Sequence, residues 1–108
     1  MAETTINKDM IVEKIHRFAR SLEEHKLKIW RMYLFGSYAK GTPHKWSDID
    51  VAVFLDQDDI DGFDEEVEMM KLGHRIDMDI EPHAFAKTDF DETDPFINEI
   101  VRTGERII

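Results

Sequence analysis

Two apolar runs constrain this chain more than anything else in it. Residues 29–35 (Ile-Trp-Arg-Met-Tyr-Leu-Phe) and 49–55 (Ile-Asp-Val-Ala-Val-Phe-Leu) stand out in a sequence that is 35 % charged. The first is nearly continuous in apolar and aromatic residues and reads as an interior strand. The second is a strand with Ile49, Val51, Val53 and Leu55 on one face and Asp48, Asp50, Ala52 and Phe54 on the other. Both need a sheet to sit in and helices to cover it.

The rest of the chain supplies those helices. Ile11, Ile15, Phe18 and Leu22 recur at the spacing of one buried stripe and predict a helix over residues 10–25. Gly36 ends the first strand, and residues 37–40 read as one helical turn stopped near Gly41-Thr42-Pro43. An acidic stretch, residues 56–68, leads into a helix predicted over 61–72. That helix is expected to bury Phe63, Val67 and Met70 and to stop at Gly73. Residues 75–81 alternate, with Ile76, Met78 and Ile80 on one face and Asp77, Asp79 and Glu81 on the other, which predicts a third strand. Asp94-Pro95 opens a last helix with Phe96, Ile97, Ile100 and Val101 on its apolar side, closed by Gly104. The expectation is an α+β fold in the order α-β-α-β-α-β-α: a small mixed sheet with helices packed on it.

Composition narrows the function. At 108 residues the chain is expected to form a single domain, residues 1–108. Fourteen Lys and Arg against 24 Asp and Glu leave a net charge of −10, which argues against direct nucleic-acid binding. The same balance suits a protein that meets phosphate through a divalent cation. Without cysteine there is no disulfide, thiolate zinc site or cysteine nucleophile. No apolar run approaches the ~18 residues of a membrane span. The first nine residues have no signal-peptide apolar region, so a cytoplasmic location is expected.

Chemistry concentrates in residues 35–54, FGSYAKGTPHKWSDIDVAVF. Gly36-Ser37 falls where a strand becomes a helix. Glycine lets the backbone turn tightly and approach a ligand, and Ser37 adds a hydroxyl. By itself such a turn is ordinary. Gly36 and Gly41 have the spacing of a Walker loop, but Thr42-Pro43 stands where Lys-Ser or Lys-Thr is required, so that reading fails. Asp48 and Asp50 lie two apart on one strand, hence on one face. Two carboxylates there repel each other and lose hydration, and a bound Mg²⁺ relieves both costs. Strand 75–81 then offers a third acid. An antiparallel neighbour brings Glu81 level with the pair; a parallel one brings Asp77; Asp79 lies between. The bland alternative is an edge strand whose outward charges block aggregation. The five histidines (16, 25, 44, 74 and 83) show no pairing at metal spacing and read as surface or loop residues.

Taken together, Gly36-Ser37, a short spacer, Ser47-Asp48-Ile49-Asp50 and a later strand acid resemble the nucleotidyltransferase superfamily of DNA polymerase beta and kanamycin nucleotidyltransferase. The small size resembles its minimal nucleotidyltransferase branch, whose members often accompany HEPN-domain partners, several as toxin–antitoxin pairs. The resemblance implies ATP or another nucleoside triphosphate as substrate, held through two Mg²⁺ ions. It implies Asp48 and Asp50 as metal ligands and catalytic residues, with Glu81 favoured as the third acid and Asp79 and Asp77 as alternatives. Gly36 and Ser37 match the triphosphate-binding turn, with Lys40 and Ser47 as further nucleotide-binding residues. The implied reaction transfers AMP to an acceptor hydroxyl, such as a tyrosine on a HEPN-type toxin. The competing reading is an inactive antitoxin module that masks its partner, with the acidic 56–68 segment against a basic surface. A weaker third reading is a Mg²⁺- or Ca²⁺-binding structural domain.

Overall fold

A computed structural model describes residues 8–40 and 48–108. Lys40 is described in its backbone only, and Ser47 lies outside the described residues. The elements run α1 (Lys8–Glu24), β1 (Ile29–Phe35), α2 (Ser37–Lys40), β2 (Ile49–Leu55), α3 (Phe63–His74), β3 (Ile80–Ala86), a 3₁₀ turn (Lys87–Asp89), α4 (Pro95–Thr103) and β4 (Glu105–Arg106). The four strands form one mixed sheet in the order β3-β2-β1-β4. β1 is antiparallel to both β2 and β4, whereas β2 and β3 are parallel.

The two apolar runs are the two interior strands, and each face of the sheet has its own core. On one face, Met32, Leu34, Ile49, Val51, Val53 and Leu55 pack against Ile11, Ile15, Phe18 and Leu22 of α1 and Met69 and Leu72 of α3. On the other, Tyr33, Ala52 and Phe54 meet Ile97 and Ile100 of α4, with Phe35, Phe85 and Phe90 at the margin. Aromatic rings dominate this second core; Phe54 and Phe85 stack at 4.9 Å between centroids. Asp94 caps α4, accepting from the amides of Phe96 at 2.8 Å and Ile97 at 3.3 Å, and Pro95 occupies its first turn.

Three expectations need correcting. The third strand begins at Ile80, not at residue 75. The Asp77 carboxylate accepts the Asp79 amide at 2.8 Å, and the amides of Ile76 and Asp77 both donate to the Gly73 carbonyl, so residues 75–79 turn rather than extend. Met78, placed on the apolar face by alternation, is 73 % exposed. Secondly, β3 runs parallel to β2, not antiparallel: α3 is the helical crossover that such a pair requires. Thirdly, α3 is rotated from its expected phase. Phe63 is 74 % exposed, Val67 is exposed and Met70 only half-buried, while Met69, Leu72 and Gly73 face inward. Gly73 does not stop the helix. A Cβ there would lie 3.0 Å from Ile80 Cγ2 and 3.3 Å from the Phe18 ring, so glycine lets α3 approach the sheet.

β3 is an edge strand, and its outer amides have partners. Ile80 donates to the Asp77 carbonyl, Pro82 has no N–H, Ala84 donates to Glu66 Oε2 at 3.1 Å and Ala86 to Asp89 Oδ2 at 2.9 Å. That arrangement leaves no free amide along this line for another strand to accept from.

Candidate active site

β1 delivers its last residue, Phe35, opposite Asp50 on β2. The chain then turns at Gly36, whose φ of +79° lies in the region that only glycine adopts cheaply. The turn closes directly over Asp50. A Cβ on Gly36 would overlap Asp50 Oδ2, so glycine here serves the carboxylate as well as the backbone. Ser37, half-buried, is the first residue of α2.

On the other side of Asp50 stands Glu81, its register partner across the parallel ladder. Paired residues in such a ladder project to the same face, so the two carboxylates are neighbours on the aromatic side of the sheet. Asp48 lies just before β2 and is exposed. Asp77 and Asp79 lie in the turn ahead of β3. Asp77 binds Lys14 Nζ at 2.6 Å, with its side chain 18 % exposed. Burial pushes the Asp77 carboxyl up, but the Lys14 hydrogen bond, the Asp79 amide and the Lys14 charge outweigh it and hold the pKa below the usual carboxylate range. Asp77 is thus committed to an ion pair with α1. Asp79 is exposed, and its carbonyl accepts the Ile49 amide at 2.7 Å. Of the three acids considered for the third position, only Glu81 stands level with Asp50.

The histidine reading needs one correction. His83 is a strand residue, not a loop residue: it lies half-buried on β3, two positions beyond Glu81 on the same face and opposite Ala52. Its ring tilts against Phe35 at 5.3 Å between centroids. Its Nε2 is shielded from solvent and faces Asp50 Oδ1 at 3.5 Å, a long contact that becomes an ion pair when the imidazole is protonated. The Asp50 carboxylate beside it raises the imidazole pKa above its ordinary value. Burial opposes that shift, and the Asp50 charge with those of Glu66 and Glu81 supports it. The spacing of Glu81 and His83 was visible in the sequence; the strand that gives it meaning was misplaced.

These residues suit a divalent cation in donor chemistry: two carboxylates stand abreast, with a turn shaped to one of them. Among the described residues no three such groups already converge on a point. That is consistent with Mg²⁺ practice, in which one or two carboxylates hold the ion and substrate phosphates and water complete its shell.

A family profile described as polymerase beta, nucleotidyltransferase matches residues 13–108. The protein adenylyltransferase MntA of Shewanella oneidensis is 36 % identical over 66 residues, 61 % of this chain and 47 % of that protein. A relative from Methanocaldococcus jannaschii, whose provisional name gives it the same activity, is 32 % identical over 72 residues, 62 % of this chain and 72 % of its own length. The matched stretch thus spans about half the Shewanella relative. Among solved structures, a toxin–antitoxin crystallised with AMP-PNP superposes with a TM-score of 0.64 at 26 % identity, covering 90 % of this chain and 72 % of that one. A mutant of the toxin–antitoxin MntA–HpeT superposes with a TM-score of 0.58 at 25 % identity, covering 94 % and 72 %.

Proposed function

This chain belongs to the polymerase beta nucleotidyltransferase family, and from that premise we propose that it transfers AMP from ATP to a hydroxyl on a protein partner, as the antitoxin of a toxin–antitoxin pair. The observation that carries the reading is the register of Asp50 against Glu81 beneath the Gly36 turn. A tyrosine of a HEPN-type toxin is the acceptor class. The adenylyltransferase relatives support a protein as acceptor, and the neighbour crystallised with AMP-PNP supports an adenine nucleotide; the tyrosine and the HEPN partner are what the family resemblance implies.

In this reading Asp48, Asp50 and Glu81 hold two Mg²⁺ ions. When bound, the ions supply charge neutralisation at the phosphates and activation of the attacking hydroxyl. Gly36 lets the triphosphate approach the backbone and Ser37 offers it a hydroxyl, with Lys40 and Ser47 as further nucleotide contacts. The acceptor oxygen bonds to the α-phosphorus, and the bond from that phosphorus to the bridging oxygen breaks. Pyrophosphate leaves with that electron pair. Glu81, beside Asp50 and half-buried, takes the hydroxyl proton. Asp77 takes no part, since Lys14 holds it elsewhere. The site rests on a chain whose described helices include none long and apolar enough to cross a membrane.

The test is incubation with α-labelled ATP, Mg²⁺ and the protein encoded beside this one. Label should pass to the partner, and Asp50→Asn should abolish transfer in a protein that still folds. Glu81→Gln should lose transfer while keeping much of the nucleotide affinity; Asp77→Asn should be nearly silent. Formation of a complex without transfer of label would favour the inactive masking module instead.

A further inference from the structure

Phe96 has no task in the mechanism above and is too exposed for a core residue. It stands in the first turn of α4. Ile97 and Ile100 bury that helix on the sheet, whereas Phe96 is 47 % exposed. Its ring is nonetheless fixed. It lies edge-on to Phe35 at 5.9 Å between centroids and tilts against Phe85 at 6.2 Å, and Phe35 in turn meets His83. Met10, Phe63, Val67, Met78 and Ile108 are also exposed, but among the described residues only Phe96 of this group is in ring contact with Phe35, the residue opposite Asp50. An exposed ring held in place by other rings offers a rigid surface to a further aromatic group.

The two sides of Asp50 differ in what they offer. On the β1 side the Gly36 turn leads into α2, whose Tyr38 and Ala39 pack against the opposite core. On the β3 side stands Glu81, and the rings share its face of the sheet. His83 and Phe85 follow Glu81 at alternate positions of β3, both half-buried, and Phe96 touches Phe85. An acceptor that reaches Glu81 from this face meets the rings. Two residues of strand span about 7 Å, close to the reach of a tyrosine from its β-carbon to its oxygen. A phenol with its oxygen at Glu81 therefore lays its ring along His83 towards Phe96, with its apolar body on rings and its polar tip at the carboxylate. A serine or threonine hydroxyl stands one bond from the β-carbon and leaves the rings uncovered. We propose that Phe96 is the specificity residue for the acceptor: its exposed half receives the ring of a tyrosine whose hydroxyl meets Glu81. The inference rests on the nucleotidyltransferase reading and adds to it the side chain that recognises the acceptor.

The experiment titrates the full chain, with Mg²⁺ and AMP-PNP present, against N-acetyltyrosinamide and N-acetylserinamide, read by NMR. The phenol should bind about tenfold more tightly than the serine compound and show nuclear Overhauser contacts to the Phe96 ring. Phe96→Ala should weaken phenol binding about tenfold and leave AMP-PNP affinity, by calorimetry, unchanged. Phe96→Tyr should restore phenol binding and Phe96→Leu should not, since the ring rather than its volume is what counts. Phe63→Ala removes a ring that is 74 % exposed on α3 and should alter neither ligand. Should Phe96→Ala not fold, the contrast between Phe96→Leu and Phe96→Tyr carries the test, and the contacts to Phe96 in the unaltered protein need no variant. No binding of the phenol, equal binding of the two compounds, or full affinity in Phe96→Ala or Phe96→Leu overturns the inference and leaves the nucleotidyltransferase reading standing. So does loss of AMP-PNP affinity in Phe96→Ala with phenol binding kept, which would put the adenine on this ring. Failure of the unaltered protein to bind AMP-PNP with Mg²⁺ would instead sink the reading on which the inference rests.

Discussion

Gly36→Ala tests the join between backbone and site. Alanine at φ +79° costs about 1–2 kcal/mol in backbone strain. Its methyl would also overlap Asp50 Oδ2, and forcing a carbon into a filled space costs about a further 1–3 kcal/mol. Gly62 provides the control. Its φ of +89° brings comparable strain, but a Cβ there meets nothing within 4 Å. By thermal unfolding, Gly62→Ala should lower Tm by about 4–16 °C and Gly36→Ala by about twice as much, from ~4–8 °C per kcal/mol in a domain of this size. Both proteins should still fold, because a domain of this length has roughly 5–15 kcal/mol of stability. Asp50→Ala then separates the two contributions at Gly36. With the carboxylate gone, Gly36→Ala should cost the strain alone, a coupling of about 1–3 kcal/mol in a double-mutant cycle. A Gly36→Ala protein as stable as Gly62→Ala, or costs that simply add in the double mutant, would refute the claim that this glycine exists to seat Asp50.

Other expectations follow from single contacts. Asp94→Ala removes the α4 cap and should cost about 1 kcal/mol, read as a lower urea midpoint at unchanged slope. The Lys14–Asp77 pair makes stability depend on acid. The folded pKa of Asp77 is depressed, so its contribution is complete above the unfolded value near ~4 and is lost as pH falls through the folded value; Lys14→Met should flatten that limb of a stability–pH profile. Glu66→Ala should free the Ala84 amide on the β3 edge and raise self-association in light scattering, whereas Glu66→Gln, which still accepts, should not.

How much of this was legible in the sequence varies by element, and for physical reasons. β1, α2 and β2 could be read because apolar runs and Gly36 punctuate the chain sharply; their ends fall where the pattern puts them. α3 was found but mis-rotated. Phe63, Val67 and Met70 make as good a helical stripe as Met69, Leu72 and Gly73, and only contact with Phe18 and Ile80 decides between them. The small face won because a glycine lets the helix come closer. β4 is two residues long and pairs only with Tyr33 and Leu34, too little to leave a periodic signal. The strand expected over 75–81 illustrates a different failure. Its alternation was real, but Asp77 folds back on the Asp79 amide, and a local side-chain bond overrides a pattern of period two.

Glu81 stands beside Asp50 for a reason the sequence argument did not contain. With a strand over 75–81, Glu81 comes level with Asp50 only beside an antiparallel neighbour, and the neighbour is parallel. A parallel strand beginning at residue 75 would have brought Asp77 level with the pair. The strand begins five residues later, so the register slides and Ile80 meets Ile49. The direction also determines what lies beyond the acids. Because both strands run the same way, Glu81, His83 and Phe85 travel alongside Asp50, Ala52 and Phe54. An antiparallel partner in that register would have carried His83 off the end of β2, level with Asp48 instead of Ala52. Instead the candidate site passes without a break into the aromatic core through Phe35, His83, Phe54 and Phe85. Asp50 is thus carried on a strand whose flanking residues, Ile49 and Val51, are fully packed on the opposite face. Such a strand cannot shift along its neighbours, so the position of Asp50 is set by the core rather than by Glu81 and His83 beside it.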